Sequence, residues 1–153
     1  MQLSVEQRLS AGVANLAVPV SAEKQTLLLR YLALMQKWNQ AYNLTAIREP
    51  HDMVIKHLLD SLSIAPWVKG PRVLDIGTGG GLPGIPLAIL FPDIEFTLLD
   101  SNGKKTRFLQ QVKAELSLPN VTVVHARVEE FLPEMAFPQI VSRAFSALDL
   151  FVN

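Results

Sequence analysis

Arg72-Val73-Leu74-Asp75-Ile76-Gly77-Thr78-Gly79-Gly80-Gly81-Leu82-Pro83-Gly84 reads as a short buried strand, a glycine loop and a first helical turn that carries a proline. Gly77, Gly79, Gly80, Gly81 and Gly84 are five of the eight glycines in the chain. With no Cβ atoms in the way, such a loop at a strand-to-helix junction lets a nucleotide approach the main chain. The run from Gly79 to Gly84 matches G-x-G-x-x-G, and Asp100 follows at about the 20-residue distance of a dinucleotide fold. Two details turn the reading elsewhere. Asp75 precedes the glycines at the strand end, and Pro83 removes an amide donor where a pyrophosphate would want one. S-adenosylmethionine has no phosphate, and its ammonium and sulfonium groups favour nearby carboxylates and carbonyls such as those of Asp75, Gly77, Gly79 and Gly81. Asp100, at the end of the next strand, is placed to accept two hydrogen bonds from ribose hydroxyls. A structural alternative has Asp75 capping the loop and Asp100 capping the helix that begins at Gly103. On these residues alone NAD and other nucleotides stay open.

Downstream of Arg72 the pattern alternates. Strands are predicted at Val73–Ile76, Glu95–Leu99, Val121–His125 and Gln139–Ser142, with helices at Pro83–Phe91 and Gly103–Leu116 and a short helical turn at Val128–Leu132. A last helix is predicted to begin near Ala147. Such alternation with apolar strands argues for an α/β fold, a parallel sheet covered by helices. The chain ends soon after the fourth strand, so a sheet cut short there, with an exposed edge, is expected.

Upstream, residues 1–67 carry helical signals and no convincing strand, which predicts a helical N-terminal cap before a nucleotide-binding domain at 68–153. A weaker helix covers Val5–Leu16, with Pro19 separating it from the next. Ser21 can cap a helix in which Leu27, Tyr31, Leu34, Met35, Trp38 and Tyr42 form an apolar stripe, read as core packing. A third helix begins near Glu49–Pro50 and buries Val54, Leu58, Leu62 and Ala65.

With 14 basic and 14 acidic residues the formal charge is zero, so no global field draws the chain onto nucleic acid; a polyanion must be met by a local patch. The absence of cysteine excludes disulfides and thiolate zinc sites, and His51, His57 and His125 lack the spacing of a metal set. His57 reads as a structural hydrogen-bonding residue, and Asn43-Leu44-Thr45 as the fixing of a turn. No signal peptide or membrane span is evident, and a cytoplasmic monomer is expected.

Several further segments stand out: Lys37-Trp38-Asn39-Gln40-Ala41-Tyr42-Asn43-Leu44-Thr45, His57-Leu58-Leu59-Asp60-Ser61, Leu99-Asp100-Ser101-Asn102-Gly103-Lys104-Lys105 and Ser142-Arg143-Ala144-Phe145. Together with the glycine loop they closely resemble the glucose-inhibited division protein B family, also called ribosomal small-subunit RNA methyltransferase G. The resemblance runs from about Leu27 to Leu148. It implies a Rossmann-like class I methyltransferase sheet that moves a methyl group from S-adenosylmethionine to N7 of a guanine in 16S ribosomal RNA, within the small ribosomal subunit. It also implies cofactor contacts at Gly77, Leu82, Val128, Glu129 and Arg143. Family members continue for roughly another third of this length, so an inert cofactor- or ribosome-binding module is the competing reading, with a nicotinamide-dependent oxidoreductase behind it.

Guanine N7 has a lone pair and no proton, so no general base is expected and no catalytic acid–base residue is assigned. For RNA, Lys104, Lys105, Arg127 and Arg143 form a local basic rim at the carboxyl edge of the strands, with Lys104 and Lys105 equally readable as a solvated helix face.

Overall fold

The computed structural model describes residues 2–131, 137–142 and 150–152. In the cap, Ser4 and Gln7 form a capping box that starts α1 (Val5–Val13). Ser21 Oγ accepts from the Lys24 amide at 3.2 Å and starts α2 (Ala22–Tyr42), which ends at Asn43 in the left-handed conformation, φ 51°. The Glu49 carboxylate accepts from the amides of His51 and Asp52 and opens α3 (Pro50–Met53). The chain then runs through a π-helical segment (Val54–Leu59) into α4 (Asp60–Leu62).

The sheet has the order β3-β2-β1-β4-β5, from β1 (Arg72–Ile76), β2 (Glu95–Asp100), β3 (Val121–His125), β4 (Gln139–Val141) and β5 (Leu150–Val152). The first four strands are mutually parallel, with Val73 opposite both Phe96 and Gln139. Between them run α5 (Gly84–Leu90), buried throughout, and α6 (Gly103–Leu116). Strand order reverses between β1 and β4, and ligands of open α/β sheets sit at the carboxyl ends beside such a reversal.

One expectation is corrected here. Ala147 lies outside the described residues, but Leu150–Val152 is a strand, antiparallel to β4. The apolar run Leu150-Phe151-Val152 pairs with the edge of β4 that a four-stranded sheet would leave open.

Cap and sheet share a continuous core. Leu28, Tyr31, Leu32 and Met35 of α2 join Ile85, Leu87, Phe108 and Leu109 of α5 and α6 in it. The buried face of α2 is centred on Leu28, Tyr31, Leu32, Met35 and Asn39, so Leu27, Leu34, Trp38 and Tyr42 of the predicted stripe are only partly covered. Tyr42 and Trp38 instead stack edge to face at 5.1 Å, with Trp38 5.7 Å from Phe108.

Polar bonds reinforce this seam. Lys24 Nζ donates to the Leu90 carbonyl and Arg30 Nη2 to the Glu115 carbonyl, each at 2.8 Å. Both acceptors lie in last helical turns, where carbonyls lack helical partners and the dipole favours a cation. At the join between cap and sheet, the Gln139 amide of β4 donates to Trp67 O at 2.7 Å and accepts from Lys69 N at 3.0 Å.

Candidate functional site

The glycine loop leaves β1 and folds back on itself. Gly77, Gly79 and Gly81 take φ values of 65°, 60° and 100°, a region that side chains rarely enter. At Gly77 and Gly79 the space a Cβ would occupy is open, whereas at Gly81 it would meet Ile85 at 2.5 Å and Leu109 at 2.9 Å. Gly77 and Gly79 therefore border a ligand space, and Gly81 borders the core.

The loop's amides point inward. Those of Gly77 and Thr78 donate to Leu99 O at 2.9 and 3.1 Å, and those of Gly81 and Leu82 to Thr78 O at 2.9 and 3.0 Å. Gly79 N donates to Asp100 Oδ2 at 2.8 Å, and Gly84 N to Asp75 Oδ2 at 2.9 Å. Pro83 has none to offer. A phosphate cradle needs its N–H groups facing the ligand. These six amides are bonded within the protein and are not offered to a phosphate.

Asp75, expected to favour the cofactor's ammonium and sulfonium groups, has no accessible surface and lines neither cavity beside the loop. Its Oδ2 accepts from Thr78 Oγ1 at 2.7 Å as well as from Gly84 N, so it holds the loop from below. Burial, opposed by those two hydrogen bonds and assisted by the charge of Asp100, pushes its pKa up to about 8. Its Oδ1 is buried without a hydrogen-bond partner among the described residues. The helix cap that Asp100 could have supplied belongs to Asn102, whose Oδ1 accepts from the amides of Lys104 and Lys105. Asp100 Oδ1 in turn accepts from Asn102 N at 2.8 Å, which fixes the carboxylate while each oxygen keeps a further lone pair.

Two cavities flank the loop. The first, about 390 Å³, is lined by Gly77, Asp100, Ser101, Arg127, Val128 and Glu129 among others. The second, about 310 Å³, lies between Gly77–Leu82 and the cap and includes Thr45 and His57. The sequence-derived candidates thus gather at one edge, Asp100, Val128, Glu129 and Arg127 on one side of Gly77, Gly79 and Leu82 on the other. Lys104 and Lys105 open α6 and line neither cavity; Lys104 Nζ sits 6.0 Å from the Tyr42 ring centre. Arg143 lies outside the described residues.

The sequence profile of rRNA small subunit methyltransferase G matches residues 24–153. The chain belongs to that family. Ribosomal RNA small subunit methyltransferase G of Stutzerimonas stutzeri is 60% identical over 149 residues, covering 96% of this chain and 69% of that protein. The enzyme of the same name from Pseudomonas aeruginosa is 62% identical over 146 residues, 95% of this chain and 68% of its own. Among solved structures, coclaurine N-methyltransferase aligns with 90% of the chain at 13% identity and a TM-score of 0.49.

Three residues at the loop are not among the sequence-derived candidates. Tyr31 Oη donates to Gly80 O at 2.6 Å, from a helix read only as core. Thr45 and His57 were read as fixing local structure, and they do pair, Oγ1 to Nε2 at 2.9 Å, yet both also line the second cavity. Their presence in the segments that carry the family resemblance was the available signal.

Proposed function

We propose that this methyltransferase transfers a methyl group from S-adenosylmethionine to N7 of a guanine in 16S ribosomal RNA, with the assembled small subunit as acceptor. The observation that carries the cofactor reading is the inward engagement of the loop amides at 77–79, 81, 82 and 84. A dinucleotide loses its phosphate contacts on such a loop; a phosphate-free sulfonium nucleoside does not. The residues present fit that group. Asp100, anchored by two amides, would accept from the cofactor's ribose hydroxyls, and Val128 and Glu129, which line the same cavity, would hold the nucleoside beside it.

Bound there, the cofactor supplies an electrophilic methyl with a neutral leaving group. The protein's part is to hold guanine N7 in line with it, and orientation of this kind is worth roughly 7–11 kcal/mol of barrier. N7 bears no proton, so no side chain has to remove one. The rigid loop, tied to β2 through Leu99 and Asp100 and to the cap through Tyr31, is suited to that positioning. A guanine inside folded RNA must also be exposed, at a cost of about a few kcal/mol. Arg127, exposed beside the first cavity, and Lys104 and Lys105 opening α6 form the rim that meets RNA phosphates. The enzyme acts as a cytoplasmic monomer. No helix among the described residues is long and apolar enough to cross a membrane.

The test incubates the chain with small subunits lacking the modification and with methyl-labelled cofactor. Label recovered on guanine N7 is expected. Cofactor binding without label would instead favour an inert binding module.

A further inference from the structure

The neutral sum of charges hides a separation along the chain. Between Glu23 and Glu49 lie Lys24, Arg30, Lys37 and Arg48 with no carboxylate among them. Between Asp100 and Glu115 lie Lys104, Lys105, Arg107 and Lys113, again with none. These two segments take eight of the 14 basic residues and leave six against 14 acidic residues elsewhere. The fold then packs the segments side by side, as α2 with its following turn and as α6. The helices run in opposite directions. Arg30 bonds Glu115 O near the end of α6, and Tyr42, at the end of α2, lies beside Lys104 at its start.

Between the two helices runs a groove lined by Arg30, Ala33, Leu34, Lys37 and Glu115. Arg30 and Lys37 share one face of α2, and the helix from Arg30 to Tyr42 is about 18 Å long. Arg107 lies one turn along α6 from Lys104. Beyond Tyr42, Arg48 Nη2 donates to Asn43 Oδ1 at 3.0 Å, and the adjacent Ile47 lines the second cavity beside the glycine loop. Arg30, Lys37, Arg48, Lys104 and Arg107 are all exposed. Their partners are a carbonyl, a side-chain amide and a ring, while the Lys37 and Arg107 side chains make no bond among the described residues. Glu115, the one acid in the groove, accepts from Gln111 Nε2 at 2.6 Å. Uncompensated cations strung along a groove repel one another and draw in a polyanion. A row about 18 Å long is too extended for one small anion and suits the repeating phosphates of a nucleic-acid strand.

We propose that the groove between α2 and α6 is a track for the RNA backbone, in which Arg30, Lys37, Lys104 and Arg107 meet phosphates and Arg48 brings the strand to the second cavity. The cap is then an RNA-binding surface as well as a cover for the sheet. This rests on the acceptor reading above.

The test measures binding to small subunits across a salt series. Lys37→Gln combined with Arg107→Gln should reduce the slope of log affinity against log salt by about 1–2 and leave S-adenosylhomocysteine binding unchanged. Lys69→Gln removes an exposed cation far from the groove and should leave the slope as it was. The parent slope in the double variant would overturn the track. So would an equal fall per charge removed in Lys69→Gln, which would make the effect one of net charge. Because the chain has no cysteine, Lys37→Cys can carry a single photoreactive label. Cross-links to 16S RNA are expected, and cross-links to ribosomal protein alone would overturn the proposal. Binding is read apart from turnover. A chain that bound as expected and transferred no methyl would keep the track and lose the function reading; label on guanine N7 with an unaltered slope would do the reverse.

Discussion

Asp75 sits where no water reaches it, between a threonine hydroxyl and a helix amide. Its pKa of about 8 against an ordinary 3.8 means that folding takes up a proton in the interval between the two. Its contribution to stability is therefore complete below pH 3.8 and is lost as pH rises through about 8. Denaturant unfolding from about pH 6 to about pH 9 should show a falling stability in the parent chain. Asp75→Asn should flatten that fall, because an amide accepts from Thr78 and Gly84 and cannot ionise. The same pH slope in both proteins would remove Asp75 as its source. The acid was legible in the sequence as a loop partner; its burial was not. Whether a strand-end carboxylate points into a cleft or under the loop depends on where Thr78 and Gly84 come to lie, and that is set by the fold.

The glycine loop separates two reasons for having glycine. Gly79 has open space at its Cβ position, and Gly81 has Ile85 and Leu109. Gly79→Ala should lose only the left-handed backbone cost, about 1–2 kcal/mol, yet bind S-adenosylhomocysteine poorly because the methyl enters the second cavity. Gly81→Ala should lose more stability, adding about 1–3 kcal/mol of overpacking. Denaturation midpoints rank the two, and equal midpoints would contradict the distinction. Elements with local signals were readable: α6 and β3 run from Gly103 to Leu116 and from Val121 to His125, as the pattern indicates. Features built across long separations were not. Tyr31 reaches Gly80 across 49 positions, and the Thr45–His57 pair depends on a π-helical segment that apolar spacing does not announce. Strand β5 escaped notice for a related reason. A three-residue strand exists because β4 offers it an edge, and nothing in Leu150-Phe151-Val152 alone distinguishes it from a helical turn.

At the scale of the molecule, a neutral chain has to bind a polyanion. Its attraction comes from a few side chains, so affinity for small subunits should fall with salt less steeply than for a strongly basic protein. Replacing Lys104 and Lys105 together by alanine should reduce the slope of log affinity against log salt by about 1–2 while leaving S-adenosylhomocysteine binding intact. An unaltered slope would place the RNA elsewhere. The shared core bears on the same scale. Lys24 and Arg30 of α2 complete the carbonyl ends of α5 and α6, so loosening α2 exposes apolar surface and unsatisfied backbone groups together. Cap and sheet should therefore unfold in a single transition, and a resolved early loss of α2 in native-state hydrogen exchange would contradict that.

The inward-turned loop has a consequence for working conditions. Ribosomal RNA is a dense array of phosphates, and a cell's nucleotide pool is dominated by phosphorylated purines. A glycine loop with outward N–H groups would bind those anions and lose its own ligand to competition. Here six such groups are held by Leu99 O, Thr78 O, Asp100 and Asp75. Those six groups are withdrawn from phosphate, so a nucleoside cofactor without phosphates would meet little competition from anions beside a polyphosphate substrate.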